Sequence, residues 1–300
     1  MTLIQKNPFV TIIIPVYKYW DQLILCINCL ENQSYNSDCY EIIIVDNECL
    51  ENYLPLFKNS PHVRIIKEQI PGSYVARNRG IKNAGGEIIG FTDADCLPHT
   101  CWIEEAVNIF QSIPETDRVA GNIELCYSNT NKKNSIELYE SIFEFQQQRK
   151  VETEGSAITA NLFVKKQIFE DIGLFNETLL SGGDTEWGKR AKTAGYNIVY
   201  APNVIIFHPT RSTWSSIMNK TKRIYGGMWK INRSNKSVFV NIFYGMKFVK
   251  PSFRELRRIF VNKNFSFFQK LQISIVHYFI NLVQFSEHYR LLFGGNSKRD

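Results

Sequence analysis

No stretch of this 300-residue chain reaches the roughly eighteen consecutive apolar residues that a bilayer-crossing helix needs. Its beginning also lacks the pattern of a secretory leader, because the apolar run Phe9–Pro15 is far too short and no small-residue cleavage site follows. Together these absences lead us to expect a protein made and kept in the cytoplasm. Cysteine is sparse: seven residues, at 26, 29, 39, 49, 96, 101 and 126, an odd number without framework spacing. That excludes a disulfide scaffold. Cys26 and Cys29 stand as a CxxC, but no second pair or histidine pair follows at zinc spacing, so buried thiols in a reducing compartment are expected. Repeats and low-complexity tracts are absent too. Acidic residues all but vanish from the end of the chain. Residues 211–300 carry 17 Lys+Arg against 3 Asp+Glu, a balance of +14, whereas the rest carries 18 against 26, a balance of −8. A basic tail on a mildly acidic body calls for a polyanionic partner: a membrane surface, a nucleic acid or an anionic lipid.

What is present is enough apolar residue, 44%, to bury a sizeable core in one or two domains. Residues 1–210 alternate β-branched runs with helical periodicity. Phe9–Val16 reads as a strand buried on both faces, since Ile12, Ile13 and Ile14 are consecutive. Further strands are expected at Glu41–Val45, Val63–Lys67 and Glu87–Phe91, with helices over Asp21–Gln33, Ser73–Ala84 and His99–Phe110 between or after them. Strands separated by helices of this length point to a parallel α/β sheet, whose ligands bind beyond the carboxyl ends of its strands. Asp46 and the pair Asp93/Asp95 fall at such ends. Beyond residue 118 the order is mixed: a strand at Val119–Glu124, one long polar helix over Ser135–Lys150, Ile158–Val164, and a helix over Lys165–Asp171. A loop at Leu179–Asp184, a helix over Glu186–Ala194 and an extended run Tyr196–Phe207 ending at His208 then follow. Residues 211–290 read as mostly helical.

In an extended segment residues i and i+2 point to one side, so Asp93 and Asp95 can face one hard cation, and magnesium commonly combines one or two carboxylates with substrate phosphates. The surroundings of this Asp-Ala-Asp add more. Val10–Tyr17 and Tyr40–Asn47, the helix Gly72-Ser-Tyr-Val-Ala-Arg-Asn-Arg-Gly80, and the strand Gly86–Phe91 running into Asp93-Ala94-Asp95 come in one order. Ala160-Asn161, Gly173-Leu-Phe175, Gly182-Gly-Asp-Thr-Glu-Trp187 and Tyr200-Ala-Pro202 with His208 continue it. In this set and order the chain resembles glycosyltransferase family 2, with its GT-A fold, over roughly residues 9–210.

The resemblance implies an α/β GT-A catalytic domain over 1–210, with a donor half to about 117 and an acceptor half after it, followed by a helical extension over 211–300. It implies an inverting, metal-dependent hexosyl- or N-acetylhexosaminyl-transferase using a nucleotide sugar, a UDP-sugar first among them. Pro15, Tyr17, Asp46 and Asn47 would hold base and ribose, and Arg77 and Asn78 the diphosphate side. Asp95, with Asp93 and His208, would hold manganese or magnesium, an imidazole favouring manganese. Asp184 would be the general base taking the acceptor hydroxyl's proton. The acid that commonly precedes it is here Gly183, and Glu186 stands as the alternative base. Trp187 and Asn161 would face the acceptor, a glycan or lipid-linked glycan in polysaccharide or glycolipid synthesis.

The extension shows little of the family pattern. Lys220-Thr-Lys-Arg223, Arg254-Glu-Leu-Arg-Arg258 and Phe265–Lys270 mix cations with large apolar residues, as helices lying on anionic membranes do, so peripheral attachment to the inner membrane face is expected. A helical cap, or a contact between copies of the chain, is the alternative. Other functions fit less well. A nucleotidyltransferase needs an early Gly-rich basic loop, and Tyr17-Lys-Tyr-Trp20 is none. Nucleic-acid binding lacks a recognition module. An inactive sugar-binding relative is the third rival, raised by Gly183.

Overall fold

The computed structural model describes residues 7–47, 57, 60–129, 132–233, 236–250 and 252–297; Cys49 lies outside them. The first strand, β1 (Val10–Val16), is buried over nearly its whole length, so its three consecutive isoleucines meet cover on both faces. It lies parallel to β2 (Tyr40–Asn47) on one side and to β4 (Ile88–Phe91) on the other, while β3 (Val63–Glu68) extends the parallel set beyond β2. The helices α1 (Trp20–Glu31) and α2 (Ser73–Asn83) fall in the connections, as the periodicity predicts.

Past β4 the sheet changes direction. The two-residue β5 (Leu97–Pro98), α3 (Trp102–Ser112), β6 (Arg118–Cys126), β7 (Leu162–Lys165) and β8 (Ile198–Pro209) complete an eight-stranded sheet in the order β3-β2-β1-β4-β7-β6-β8-β5. Here β4–β7, β7–β6 and β8–β5 pair antiparallel, so the expected parallel sheet is parallel through its first four strands.

Several boundaries differ from the sequence reading. The long helix expected over 135–150 is two, α4 (Ser135–Phe143) and α5 (Gln147–Glu154). Glu144 leaves α4 in extended backbone, and Phe145 follows at φ 47°, a left-handed conformation that an aromatic residue adopts only when its surroundings impose it. The helix α6 (Gln167–Ile172) starts after β7 rather than within it. The loop expected to end at Asp184 is already helical there, since α7 runs Gly183–Thr193.

Two compact units result. The first comprises residues 1–124, 145–177 and 183–208 and holds the sheet. Its core joins Ile12, Ile14, Leu23, Ile42 and Ile44 to Trp102, Phe163, Val204 and Ile206. The second takes residues 209–300 together with 125–144 and 178–182. It is helical, as the sequence predicts: α4 packs with α8 (Trp214–Asn232), α10 (Phe253–Val261) and α11 (Phe267–Leu292) around Leu138, Ile142, Ile217, Ile259, Ile273 and Val276, and α9 (Val238–Gly245) lies against α11. The caps are legible locally. Asn134 with Glu137 and Ser266 with Gln269 each close a reciprocal capping box at the start of α4 and α11. Within this unit Lys220 is buried between Glu140 and Glu144, and Arg211 also reaches Glu140, so the buried charges are paired. Among the described residues, no helix is long and apolar enough to cross a membrane.

Candidate active site

The carboxyl ends of β1, β2 and β4 bring Pro15, Tyr17, Asp46 and the 93–95 segment onto one rim, because their registers align Pro15 with Val45, Val16 with Asp46 and Ile13 with Phe91. Asp46 is buried there, and Pro15 and Tyr17 are half-buried. Asn47 differs from expectation. Its amide donates to the carbonyls of Glu68 and Ile70 and its Oδ1 accepts from Gly72 N–H at 2.8 Å, so it ties the end of β3 to the start of α2 rather than facing a base. Gly72 itself sits at φ 144°, where a side chain would be strained.

Asp93 and Asp95 do not share one side of an extended segment as expected, for a local reason. The strand β4 ends at Phe91, and Asp93–Cys96 is a turn closed by Cys96 N–H donating to Asp93 C=O at 3.1 Å. The two carboxylates therefore take different partners. Asp93 Oδ1 receives Arg77 Nη2 at 2.6 Å, an ion pair at a nearly buried guanidinium. Asp95 instead approaches His208, Oδ1 to Nε2 at 3.7 Å. Asp95, Cys96 and His208 offer ligand atoms all within 4.8 Å of one another. Antiparallel pairing of β5 with β8 does this: Leu97 opposite Phe207 and Pro98 opposite Ile206 carry the preceding turn to His208. The His208 ring is packed by Phe145, centroids 4.5 Å apart, which is where the left-handed residue between α4 and α5 delivers its side chain. A carboxylate and an imidazole at this spacing form a donor set that fits one divalent cation. Burial, then the neighbouring Asp95 and Asp93 carboxylates, push the Cys96 thiol well up.

On the other side, Asp184 lies in the first turn of α7. Its Oδ1 accepts from the Tyr74 hydroxyl at 3.2 Å and from Thr185 N–H at 2.8 Å. Tyr74 is buried, and desolvation followed by the Asp184 charge pushes its phenol up, so it stays a donor. Its ring also accounts for Gly183: a Cβ there would meet Tyr74 ring carbons at 2.8–2.9 Å, leaving no room for an acid. Arg77 lies over the same ring, 5.6 Å from its centroid. A continuous line thus runs Asp93–Arg77–Tyr74–Asp184. Tyr74 stands inside the Gly72–Gly80 motif, where nothing local says that its ring faces position 183. Glu186 is held differently: Arg190 grips both its oxygens, at 2.7 and 3.3 Å, while also donating to the carbonyls of Ile172 and Leu174.

Three further expectations are corrected by burial. Trp187 is 1% exposed, stacked on Phe169 at 4.6 Å, with its Nε1 donating to Gly173 C=O, so no face remains for an acceptor sugar. Asn161 is fully buried, accepting from Trp102 Nε1 and donating to the carbonyls of Asn122 and Val204. Asn78 bonds Phe175 C=O, Phe175 N–H and Glu177. A buried amide offers donor and acceptor at once, so each asparagine ties together segments distant in sequence.

Comparison with known proteins decides the family. Residues 11–173 match the model of glycosyl transferase family 2. The chain belongs to that family. It is similar to glycosyltransferase AglE of Haloferax volcanii, 35% identical over 236 residues that span 75% of this chain and 76% of that protein. It is also similar to the dolichyl N-acetyl-alpha-D-glucosaminyl phosphate 3-beta-D-2,3-diacetamido-2,3-dideoxy-beta-D-glucuronosyltransferase of Methanococcus voltae, 24% identical over 71% of this chain and 70% of that one. Among solved structures, mannosyltransferase PcManGT from Pyrobaculum calidifontis, in complex with GDP-Man and Mn2+, superposes with a TM-score of 0.58 at 18% identity, covering 78% of this chain and 66% of that chain. This family 2 glycosyltransferase therefore has the GT-A fold with a helical C-terminal region, and it transfers sugar from a nucleotide-sugar donor.

Proposed function

We propose that the enzyme transfers a sugar with inversion from a nucleoside-diphosphate sugar, a UDP-sugar first among candidates, to a hydroxyl of a glycan or lipid-linked acceptor, with Asp184 as general base. The observation that carries this reading is the contact line from Asp93 through Arg77 and Tyr74 to Asp184, which joins the donor-side turn to a half-buried carboxylate on α7. Pro15, Tyr17 and Asp46 supply the base-binding rim. Asp93, held by Arg77, would stand beside the ribose and diphosphate of a bound donor. Asp95 and His208 are the residues that would hold manganese or magnesium, which supplies charge neutralisation on the leaving diphosphate when bound. The acceptor oxygen, losing its proton to Asp184, forms a bond to the anomeric carbon as the bond to the diphosphate breaks; the nucleoside diphosphate leaves with the electron pair, and attack from the opposite face inverts the centre. Asp184 rather than Glu186 suits the base because Arg190 already neutralises Glu186.

The acceptor proposal draws support from the Methanococcus voltae relative, whose name describes a dolichyl-linked substrate. Lipid-linked chemistry also suits our reading of residues 211–300 as the part that attaches the enzyme to the inner face of a membrane. The test is transfer from UDP-sugars with added manganese, the anomeric configuration of the product read by NMR, in wild type and Asp184→Asn. Retained configuration, or an active Asp184→Asn, would sink the mechanism.

A further inference from the structure

Among the described residues, all but three of the exposed large apolar side chains lie in 209–300; the exceptions are Tyr19, Leu25 and Ile70. They are not scattered. At the corner where α10 meets α11, Phe253, Phe260, Val261, Phe267, Phe268 and Leu271 all face outward, with Phe253 86% and Phe268 77% exposed. The rings of Phe260 and Phe267 lie 6.4 Å apart across the corner, and Lys270 Nζ clasps Phe260 C=O at 2.9 Å. From there the patch continues along α11. Phe267, Leu271, Ile275 and Phe279 follow one another at four-residue spacing on one line, all exposed, and Phe279 meets the exposed Trp214 edge-on. The opposite line of the same helix, Ile273, Val276 and Ile280, is the one buried in the helical core. A helix apolar on both sides needs cover on both, and a contiguous patch this rich in aromatic residues marks an interaction surface.

Charge selects what covers it. Arg254, Arg257 and Lys263 are exposed around the corner. Both described acids of the C-terminal stretch are engaged by arginines, Glu255 by Arg254 and Arg258, and Glu287 by Arg290. Arg254 already leans on the half-buried Glu255 at 3.4 Å, and among the described residues of 209–297 no carboxylate is exposed, so a second copy presenting this same face would bring like charge against like charge. A bilayer surface offers both complements at once: anionic headgroups for the cations and an acyl boundary for the rings.

Resting on the membrane-facing reading above, we propose that the α10–α11 corner is the docking face: Phe253, Phe267 and Phe268 enter the boundary between headgroups and acyl chains of an anionic leaflet, and Arg254, Arg257 and Lys263 bind the lipid phosphates. Within a bilayer interface α11 then lies along the surface with Leu271, Ile275 and Phe279 downward.

Flotation of the full chain with phosphatidylcholine vesicles, with and without phosphatidylglycerol, tests this. Wild type should float with the anionic vesicles and not the neutral ones. Phe267→Asp/Phe268→Asp should remain in the dense fraction, and Arg254→Gln/Arg257→Gln/Lys263→Gln should weaken binding by roughly fivefold per cation removed. All these side chains are exposed, so both variants should keep the wild-type melting temperature and lipid-free turnover of donor. Wild-type flotation by either folded variant would overturn the proposal. So would failure of wild type to float, or a wild-type dimer in sedimentation that Phe267→Asp/Phe268→Asp converts to monomer, which would give the face to a second copy. Absence of donor turnover in the wild type would instead strike the enzymatic reading and leave the flotation result standing.

Discussion

The hydroxyl of Tyr74 donates to Asp184 Oδ1 across 3.2 Å, and the same ring fills the space above Gly183. One aromatic side chain from α2 thereby both orients the carboxylate on α7 and dictates the residue before it. Tyr74→Phe keeps the ring and removes the donor, so kcat should fall about tenfold with donor KM roughly unchanged. An unaltered kcat would remove Tyr74 from the machinery. Gly183→Ala should destabilise by about 1–3 kcal/mol through overpacking, measured by chemical denaturation. The penalty should shrink in a Tyr74→Ala background, where the clash is gone.

The two acids of α7 should separate cleanly. Asp184→Asn is expected to lower kcat by about a thousandfold while nucleotide binding persists. Glu186→Gln breaks only a partly exposed pair with Arg190, so it should lose about 1 kcal/mol of stability or less and retain most activity. Steady-state rates beside melting curves distinguish the two, and the reverse pattern would make Glu186 the base.

Trp187 serves the core. Trp187→Ala should lose about 3–5 kcal/mol of stability, whereas Trp187→Phe should be milder and leave the acceptor KM unchanged. A rise in acceptor KM at full stability would return Trp187 to the sugar site.

Titration calorimetry with Mn2+ and a nucleoside diphosphate should show affinity lowered at least about tenfold by Asp95→Asn and by His208→Ala. Asp93→Asn, whose carboxylate is taken by Arg77, should do less. Equal losses for Asp93 and Asp95 would contradict the divided turn.

Acid should loosen the helical unit through Glu137. Burial alone would raise its carboxyl, but hydrogen bonds from Asn134 N–H, from the Ser128 hydroxyl and N–H, and from the Thr210 hydroxyl outweigh that and hold it below the usual carboxylate range. A carboxyl depressed in the folded state contributes stability that is complete above its unfolded pKa and is lost as pH falls through the folded one. Glu137→Gln should therefore cost about 2 kcal/mol at neutral pH and flatten the acid limb of the stability curve. A parallel acid limb in wild type and variant would show that other groups carry it.

How much of this was legible beforehand follows from which forces are local. Strand β1 could be read because three adjacent isoleucines have no other stable place than a sheet covered twice, and α2 because its periodic face ends at two glycines. The ordered motifs pointed to the family, and within it to Asp46, Asp95, Asp184 and His208 as candidates. Roles that depend on where a side chain turns could not be read. Asn47, Asn78, Asn161 and Trp187 sit inside those motifs, yet their partners are carbonyls and rings distant in sequence, and burial is a property of the packed chain. The Asp93 and Asp95 carboxylates part company because a turn, not a strand, carries them. Asp95 meets His208 through a strand two residues long, a pairing too short to leave any periodicity behind. Tyr74 finds Asp184 only when α2 and α7 are packed, 110 positions apart. Chain pattern determined the layers and the chemistry on offer, since these follow from which residues must leave water. Tertiary packing alone decided which polar groups became struts between distant segments, because a hydrogen-bonding group takes its partner from whatever the folded chain brings within about 3 Å.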